Sequence, residues 1–96
     1  MITIQRILFM KNVPLFSTMP PDTLAWVAEA ADEVNYLAGQ TIFEKGSRGD
    51  SMYVIADGSV IIHDEEKPLA ELPQEAFFGE LSILDGETRS ASAKAK

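Results

Sequence analysis

The sequence predicts a mainly β domain, an antiparallel β-roll or jelly roll that is preceded by helices. Three observations support this fold class. Apolar residues follow a helical spacing in the first third of the chain, the period changes to two after Glu33, and turn residues separate the short β-rich runs that follow. The 96 residues, 46% of them hydrophobic, suffice for one packed domain with a helical segment over 1–33 and a β-roll over 34–96.

Two helices are predicted in the first segment. The first covers residues 4–11 and ends before Val13-Pro14, because proline and its predecessor disfavour continued helix. The second begins at Pro21, which suits a first helical position. Its apolar residues have the i, i+3, i+4, i+7 spacing of a buried stripe, and Trp26 is expected to pack at the edge of this stripe: Leu24, Val27, Ala28 and Ala31.

The rest of the chain is predicted to form short antiparallel strands. The runs lie at 34–37, 41–44, 51–56, 59–63, 67–72 and 88–95. The dipeptide Asp57-Gly58 stands between YVIA and SVII, which predicts a tight two-residue hairpin. A short helix over 79–84 interrupts the strands. Within the last run, side-chain alternation places Arg89 on the same inward face as three small residues: Ala91, Ala93 and Ala95.

An inward arginine requires an anionic or polar partner, because a buried guanidinium is rarely left unpaired. The predicted helix begins at Gly79, and the free amides of its first turn favour an anion. The carboxylate of Glu80 accepts hydrogen bonds, so it suits a hydroxyl donor such as that of a sugar. Phosphate and hydroxyl in one pocket describe a nucleotide. An internal Glu80–Arg89 ion pair that only stabilises the turn is the alternative interpretation.

Composition excludes several classes of function. The net charge of −7 disfavours direct binding of nucleic acid or insertion at an anionic membrane. The absence of cysteine excludes disulfides and thiolate metal sites, and no long apolar run marks a signal peptide, so a cytoplasmic location is expected. A cupin-like metalloenzyme needs two or three histidines, whereas His63 is the single histidine and is expected at the surface. No nucleophile–base motif is present, so no enzyme activity and no metal or other cofactor are predicted.

Two segments resemble the cyclic nucleotide-binding domains of protein kinase A regulatory subunits, cyclic-nucleotide-gated channels and catabolite-activator-type regulators. They are AGQTIFEKGSRGDSMYVIADGSV and FFGELSILDGETRSASAKA. The second is similar to the phosphate-binding cassette of that family, here 77–93. The resemblance implies a regulatory module that binds cAMP or cGMP and relays the signal to an effector domain of a larger protein. Ser90 occupies a position that varies between cAMP and cGMP binders, and it does not distinguish the two.

The resemblance also implies residue roles. Arg89 would hold the cyclic phosphate with the amides of Ser90 and Ala91, and with the cassette backbone at Leu81 or Ser82. Glu80 and the backbone of Gly79 would bind the ribose. The residues that line the pocket in relatives correspond to Phe43, Ile62, Ala70 and Leu72.

The family pattern continues beyond Lys96 with a further strand and capping helices, so a C-terminally incomplete domain is expected, with weakened binding and an open strand edge that invites association. A structural domain of the same fold that does not bind nucleotide is the alternative function. Loss of the arginine or the glutamate is its expected signature, and both residues are present.

Overall fold

The computed structural model describes residues 1–79 and 88–96. The chain divides into two compact units, Met1–Asn35 and Tyr36–Lys96. The first unit is helical and the second consists of antiparallel strands, so the predicted mainly β class with N-terminal helices is confirmed. The predicted short helix over 79–84 lies largely outside the described residues.

The first unit contains α1 (Thr3–Met10) and α2 (Pro21–Ala30). Both helices are within one or two residues of their predicted bounds, and α2 begins at the predicted proline. The guanidinium of Arg6 donates from Nη1 to the carbonyls of Ala28 and Ala31, at 3.0 and 2.7 Å. These carbonyls lie at the C-terminal end of α2, where a positive charge is favourable.

The apolar stripe of α2 is confirmed at its centre, because Leu24 and Ala28 are buried. The expectation for Trp26 is wrong, since its side chain is 71% exposed. Successive residues of a helix are separated by about 100°, so Trp26 points away from the face that carries Leu24 and Ala28. In the described residues no helix has the length and apolarity that crossing a membrane requires.

The described residues of the second unit form six strands: β1 (Thr41–Phe43), β2 (Tyr53–Val54), β3 (Val60–Asp64), β4 (Lys67–Leu72), β5 (Phe77–Phe78) and β6 (Ser92–Ala95). They form a four-stranded sheet in the order β1-β6-β3-β4 and a two-stranded sheet of β2 and β5, and every pair is antiparallel. The two sheets share one core, made of Ile55, Val60, Phe78 and Ala93.

The predicted hairpin at Asp57-Gly58 is wrong. The turn exists, with Gly58 at φ +84°, but β2 pairs with β5 while β3 pairs with β4 and β6. The chain therefore changes sheets at this turn. A two-residue turn indicates only that the chain reverses sharply. The two flanking strands can bury their apolar side chains in one core either as neighbours in one sheet or as members of two sheets that pack face to face.

Three strand bounds also differ from the prediction. Residues 34–37 form no strand, and the side chains of Val34 and Leu37 are exposed, which removes the packing that favours a strand. The strand at 51–56 shortens to Tyr53–Val54. Regular strand pairing in the last run begins at Ser92, because residues 90–91 form a bend.

Candidate functional site

The site is built around the backbone of Arg89, which is held by the loop after β1. The amide of Arg89 donates to the carbonyl of Ser47, and the amide of Gly46 donates to the carbonyl of Arg89, both at 2.8 Å. An antiparallel bridge joins Arg48 and Thr88 next to these bonds. The segment before β6 is therefore fixed although it lies outside the regular strand.

The side chain of Arg89 points inward, as predicted, and is only 5% exposed. Its Nη1 donates to the carbonyl of Gly79 and its Nη2 donates to the carbonyl of Ser51, both at 2.8 Å. Bonds from a charged donor are stronger than neutral ones, and two of them on different nitrogens define the plane of the guanidinium. The buried cation thus has a fixed orientation between β5 and the loop before β2.

An aromatic cluster lies against the guanidinium. The Cζ of Arg89 is 4.2 Å from the ring centroid of Phe43, which is a cation–π geometry. The ring of Phe43 contacts those of Tyr53 and Phe78, each with a centroid separation of 5.9 Å. Tyr53 and Phe78 stack on each other at 5.1 Å. The cation therefore lies on an apolar surface that β1, β2 and β5 build together.

Gly79 is required at its position for two independent reasons. Its φ is +86°, a conformation that side chains with a Cβ rarely adopt. A Cβ on Gly79 would also lie 2.7 Å from Nη1 of Arg89 and 3.2 Å from the carbonyl oxygen of Ser51. The glycine lets the backbone approach the guanidinium closely enough for its carbonyl to accept a hydrogen bond.

A wall of small and aliphatic residues extends from this site along the inner face of the large sheet. Ile62 is paired with Ala70 on β4 and with Ala93 on β6, so the three side chains share one face. Ile62 and Leu72 pack against the buried core, whereas Ala70 is exposed on the edge strand. The structure thus brings three predicted lining residues onto one surface, and a fourth, Phe43, lies on Arg89 itself.

The remaining predicted contacts are only partly described. Ser90 is exposed and Ala91 is half-buried, directly after Arg89 in the bend. Glu80, Leu81 and Ser82 lie outside the described residues, so their roles stay predictions. Sequence reasoning missed the carbonyl of Ser51 as a partner of Arg89. A backbone acceptor leaves no trace in residue type, so the sequence carried no signal for it.

The opposite face of β6 has a structural role. Ser92 is 8% exposed, and its hydroxyl accepts a 2.8 Å hydrogen bond from the amide of Lys45. Alternation predicted Ser92 on the face opposite the alanines, and the loop after β1 covers it there. This bond adds a further link between β6 and the loop that holds Arg89.

We expect Ser92→Ala to lower the free energy of unfolding by about 1–3 kcal/mol, because the poorly solvated amide of Lys45 loses its acceptor. Urea denaturation of wild type and variant measures this change. Ser59→Ala, at a half-exposed position before β3, is the control and should change the stability by less than about 0.5 kcal/mol. Equal effects of the two substitutions would contradict the role of the hydroxyl.

Two further titratable side chains, those of Tyr36 and His63, belong to the second unit. Burial, together with the neighbouring phenol of Tyr53, raises the pKa of Tyr36 above its usual value, so this phenol keeps its proton at neutral pH. His63 is half-buried on β3, not at the surface as expected, and its Nδ1 lies 2.7 Å from the carbonyl oxygen of Glu65.

Among residues 1–79 and 88–96, no cluster of three or more histidine and acidic side chains is arranged to hold a metal ion.

Solved structures share this architecture over almost the whole chain. PfPKA-R with cAMP bound superimposes with a TM-score of 0.91 at 25% identity, covering 97% of this chain and 33% of that one. The regulatory subunit of a cAMP-independent protein kinase A from Trypanosoma brucei gives 0.89 at 27% identity, covering 98% and 36%.

Curated relatives are similar in sequence as well. The cAMP-dependent protein kinase regulatory subunit of Aspergillus fumigatus is 40% identical over 90 residues, which are 92% of this chain and 22% of the relative. An isozyme 2 form of the cGMP-dependent protein kinase of Drosophila melanogaster is 32% identical over 88% of this chain and 10% of its own length. The chain therefore spans about a fifth or less of these relatives.

The family model described as the cyclic nucleotide-binding domain matches residues 33–96, which contain the six strands β1–β6 and the contacts of Arg89 described above. The match includes the glycine-framed loops and the FFGEL and TRSASA sequences on which the resemblance depends. This chain belongs to the cyclic nucleotide-binding domain family.

Proposed function

We propose that this chain is a ligand-sensing module that binds cAMP or cGMP and carries out no chemistry on it. The observation that supports this most directly is the Arg89 guanidinium, buried and oriented at the start of the alanine-lined face in a protein of net charge −7. A locally positive, desolvated site in an acidic protein selects a small anion, because a large anionic surface would be repelled by the rest of the molecule.

The proposed roles follow the family pattern. Arg89 binds the cyclic phosphate, with the amides of Ser90 and Ala91 and the cassette backbone at Leu81 and Ser82. Glu80 and the backbone of Gly79 bind the ribose hydroxyl. A planar guanidinium presents paired donors that match two phosphate oxygens, and each charge-assisted bond contributes about 1.5–3 kcal/mol.

The hydrophobic wall gives the rest of the ligand a surface. Ile62 and Leu72 offer aliphatic contact, and Ala70 leaves space beside them on the exposed edge strand. The neutral parts of a nucleotide, its sugar carbons and base, bury apolar area against such a surface. The four lining residues therefore support a ligand that has one anionic end and a larger, uncharged body.

The module is proposed to regulate an effector that lies outside this chain. The relatives named above are regulatory subunits and a cyclic nucleotide-dependent kinase, and each is several times longer than this chain. A protein kinase is therefore the favoured class of effector, and the cytoplasm the proposed location. Regulation requires that the nucleotide bind two states of the parent protein with different affinity.

Calorimetric titration with cAMP, cGMP and adenosine tests the function. We expect saturable binding of at least one cyclic nucleotide and none of adenosine at the same concentration, because adenosine lacks the phosphate that Arg89 holds. The difference between cAMP and cGMP reports which base is preferred. Equal binding of adenosine and cAMP would contradict the phosphate role of Arg89.

The alternative is a domain of the same fold that binds no cyclic nucleotide. The regulatory subunit from Trypanosoma brucei is described as cAMP-independent, so the fold alone does not decide the ligand. A triple variant of that protein, in which one substitution introduces an arginine, is described as bound to cAMP. The arginine of this chain therefore favours the binding function, and a folded wild type without any titration heat would favour the alternative.

A further inference from the structure

A β-bulge at the start of the large sheet turns Phe43 toward the site. Thr41 pairs with Lys94 on β6, yet Phe43, two residues later, pairs with the adjacent Ala93. Adjacent residues of a strand point to opposite faces, so this shift in register moves the side chain of Phe43 onto the inner face that Ala93 occupies. Without the bulge, the side chain of Phe43 would point to the outer face with that of Thr41.

The Arg89 guanidinium lies over the turned ring of Phe43. The distance from Cζ to the ring centroid is 4.2 Å, and the guanidinium is almost fully desolvated, which is the condition under which cation–π contacts contribute most. The carbonyls of Gly79 and Ser51 fix the plane of the same group from two directions. Ring and carbonyls together allow one orientation of the guanidinium.

We propose that Phe43 is a positioning residue that orients Arg89 for the anion, and not only a wall of the nucleotide pocket. This inference rests on the proposed function, because the anion is the phosphate of the cyclic nucleotide. In bidentate binding, two N–H donors of the guanidinium align with two oxygens of the phosphate. A guanidinium that is not held in this orientation binds the phosphate more weakly, even though its positive charge remains.

The structural reason for phenylalanine at this position is that a ring provides a polarisable, negatively charged face, whereas an aliphatic side chain of similar volume provides only dispersion contact. Phe43 is itself held by Tyr53 and Phe78, so the ring cannot rotate away without disturbing the core. The packing of β1, β2 and β5 in the aromatic cluster therefore determines the direction of the Arg89 side chain.

The test compares Phe43→Leu with Phe43→Trp and Phe43→Tyr. We expect Phe43→Leu to bind the preferred cyclic nucleotide about three- to thirty-fold more weakly than wild type, which is the range of a cation–π contact. At least one of the aromatic variants should restore binding to within about threefold of wild type. Val60→Ala, in the same buried core, is the matched control for a general loss of packing and should bind like wild type.

A second readout does not depend on the ligand. The chain contains three arginines, at positions 6, 48 and 89, so a ¹⁵N–¹H spectrum of arginine Nε groups has three side-chain signals. The signal of Arg89, assigned by its loss in Arg89→Lys, should be shifted by the ring current of Phe43 in the nucleotide-free protein. Phe43→Leu should remove that shift, and Val60→Ala should retain it.

The outcomes separate this inference from the proposed function. If wild type binds a cyclic nucleotide and Phe43→Leu binds it equally well, or if the aromatic variants bind as weakly as Phe43→Leu, the positioning role is wrong and the function stands. If folded wild type binds no cyclic nucleotide, the proposed function is wrong, and with it the anion for which Arg89 is oriented. Rescue by an aromatic side chain, together with the lost ring-current shift in Phe43→Leu, supports the inference.

Discussion

Arg89→Ala is expected to weaken the binding of cAMP or cGMP by about 100-fold or more. The variant removes the proposed bidentate contact to phosphate, and two charge-assisted hydrogen bonds of about 1.5–3 kcal/mol each amount to roughly two to four decades in the dissociation constant. Calorimetry of wild type and variant under the same ionic strength measures the loss. The salt concentration matters because a phosphate–arginine contact is partly screened.

The same substitution changes stability for a different reason. Arg89 is buried, and its removal leaves the carbonyls of Gly79 and Ser51 without the bonds that the guanidinium donates. The substitution also removes the desolvation cost of burying the guanidinium charge. The net loss of stability is therefore smaller than the summed free energies of the lost hydrogen bonds. We expect the free energy of unfolding to fall by about 1–3 kcal/mol, which a domain with about 5–15 kcal/mol of stability tolerates.

Arg48→Ala is the matched control for this variant. It removes the same charge from the loop that holds the backbone of Arg89, but the side chain of Arg48 is exposed. We expect wild-type affinity within about threefold and a stability change below about 0.5 kcal/mol. If both variants lost binding equally, the effect would come from net charge and not from the buried guanidinium. Retained binding in folded Arg89→Ala would overturn the phosphate role.

The position of the candidate site could be proposed from the sequence because the chemistry it would need is encoded in residue types. The combination of FGEL, a following arginine and a run of alternating alanines is specific. Alternation predicted the inward direction of Arg89 correctly, but its premise was wrong, because residues 89–91 lie outside the regular strand and hydrogen bonds to the loop after β1 hold the backbone of Arg89. The two helices followed from Pro14 and Pro21, which restrict where a helix ends and begins. These predictions depended on local constraints, which a single sequence contains.

The pairing of strands was not predictable in the same way. Asp57-Gly58 correctly indicated a sharp turn, but whether the flanking strands join one sheet or two depends on partners that are distant in sequence. The pairing of β2 with β5 is short and places Tyr53 opposite Phe78, a contact that only the closed core specifies. Long-range pairing of this kind leaves little periodic signal in strands of two residues.

The contacts of Arg89 also include some that the sequence predicts and some that it does not. The arginine was predictable, whereas its backbone partners were not, because carbonyls belong to every residue. Phe43 was predicted as part of the pocket wall, and the bulge that directs its ring to Arg89 arises from a register shift between β1 and β6. Such a shift depends on the paired strand and has no signature in β1 alone.

Gly79→Ala is expected to reduce both stability and nucleotide binding. Alanine at φ +86° is strained by about 1 kcal/mol, and its Cβ would lie 2.7 Å from Nη1 of Arg89. Either the guanidinium or the backbone must move, and the bond from Nη1 to the carbonyl of Gly79 is lost or lengthened. We expect the free energy of unfolding to fall by about 2–4 kcal/mol in denaturant titrations, with binding weakened by about tenfold or more, since the guanidinium loses its orientation.

Gly58→Ala separates strain from collision. Gly58 has nearly the same φ, +84°, but a Cβ there meets no atom of residues 1–79 or 88–96 within 4 Å. We therefore expect Gly58→Ala to show only the backbone cost of about 1 kcal/mol and to bind nucleotide like wild type. If the two alanine variants were equally stable and bound equally well, the guanidinium would relax freely, and the close approach at Gly79 would have no role.

A double-mutant cycle then locates the collision. In the Arg89→Ala background the nearest remaining neighbour of the new Cβ among the described residues is the carbonyl oxygen of Ser51, at 3.2 Å. The cost of Gly79→Ala should therefore fall by about 1–2 kcal/mol, toward the cost of Gly58→Ala, because the side chain that it displaced is absent. An unchanged cost in that background would assign the whole penalty to the backbone at Gly79. A reduced cost would show that the absence of a Cβ at Gly79 lets the guanidinium of Arg89 reach its position. The position of the proposed anion-binding group would then depend on the conformation of a single glycine.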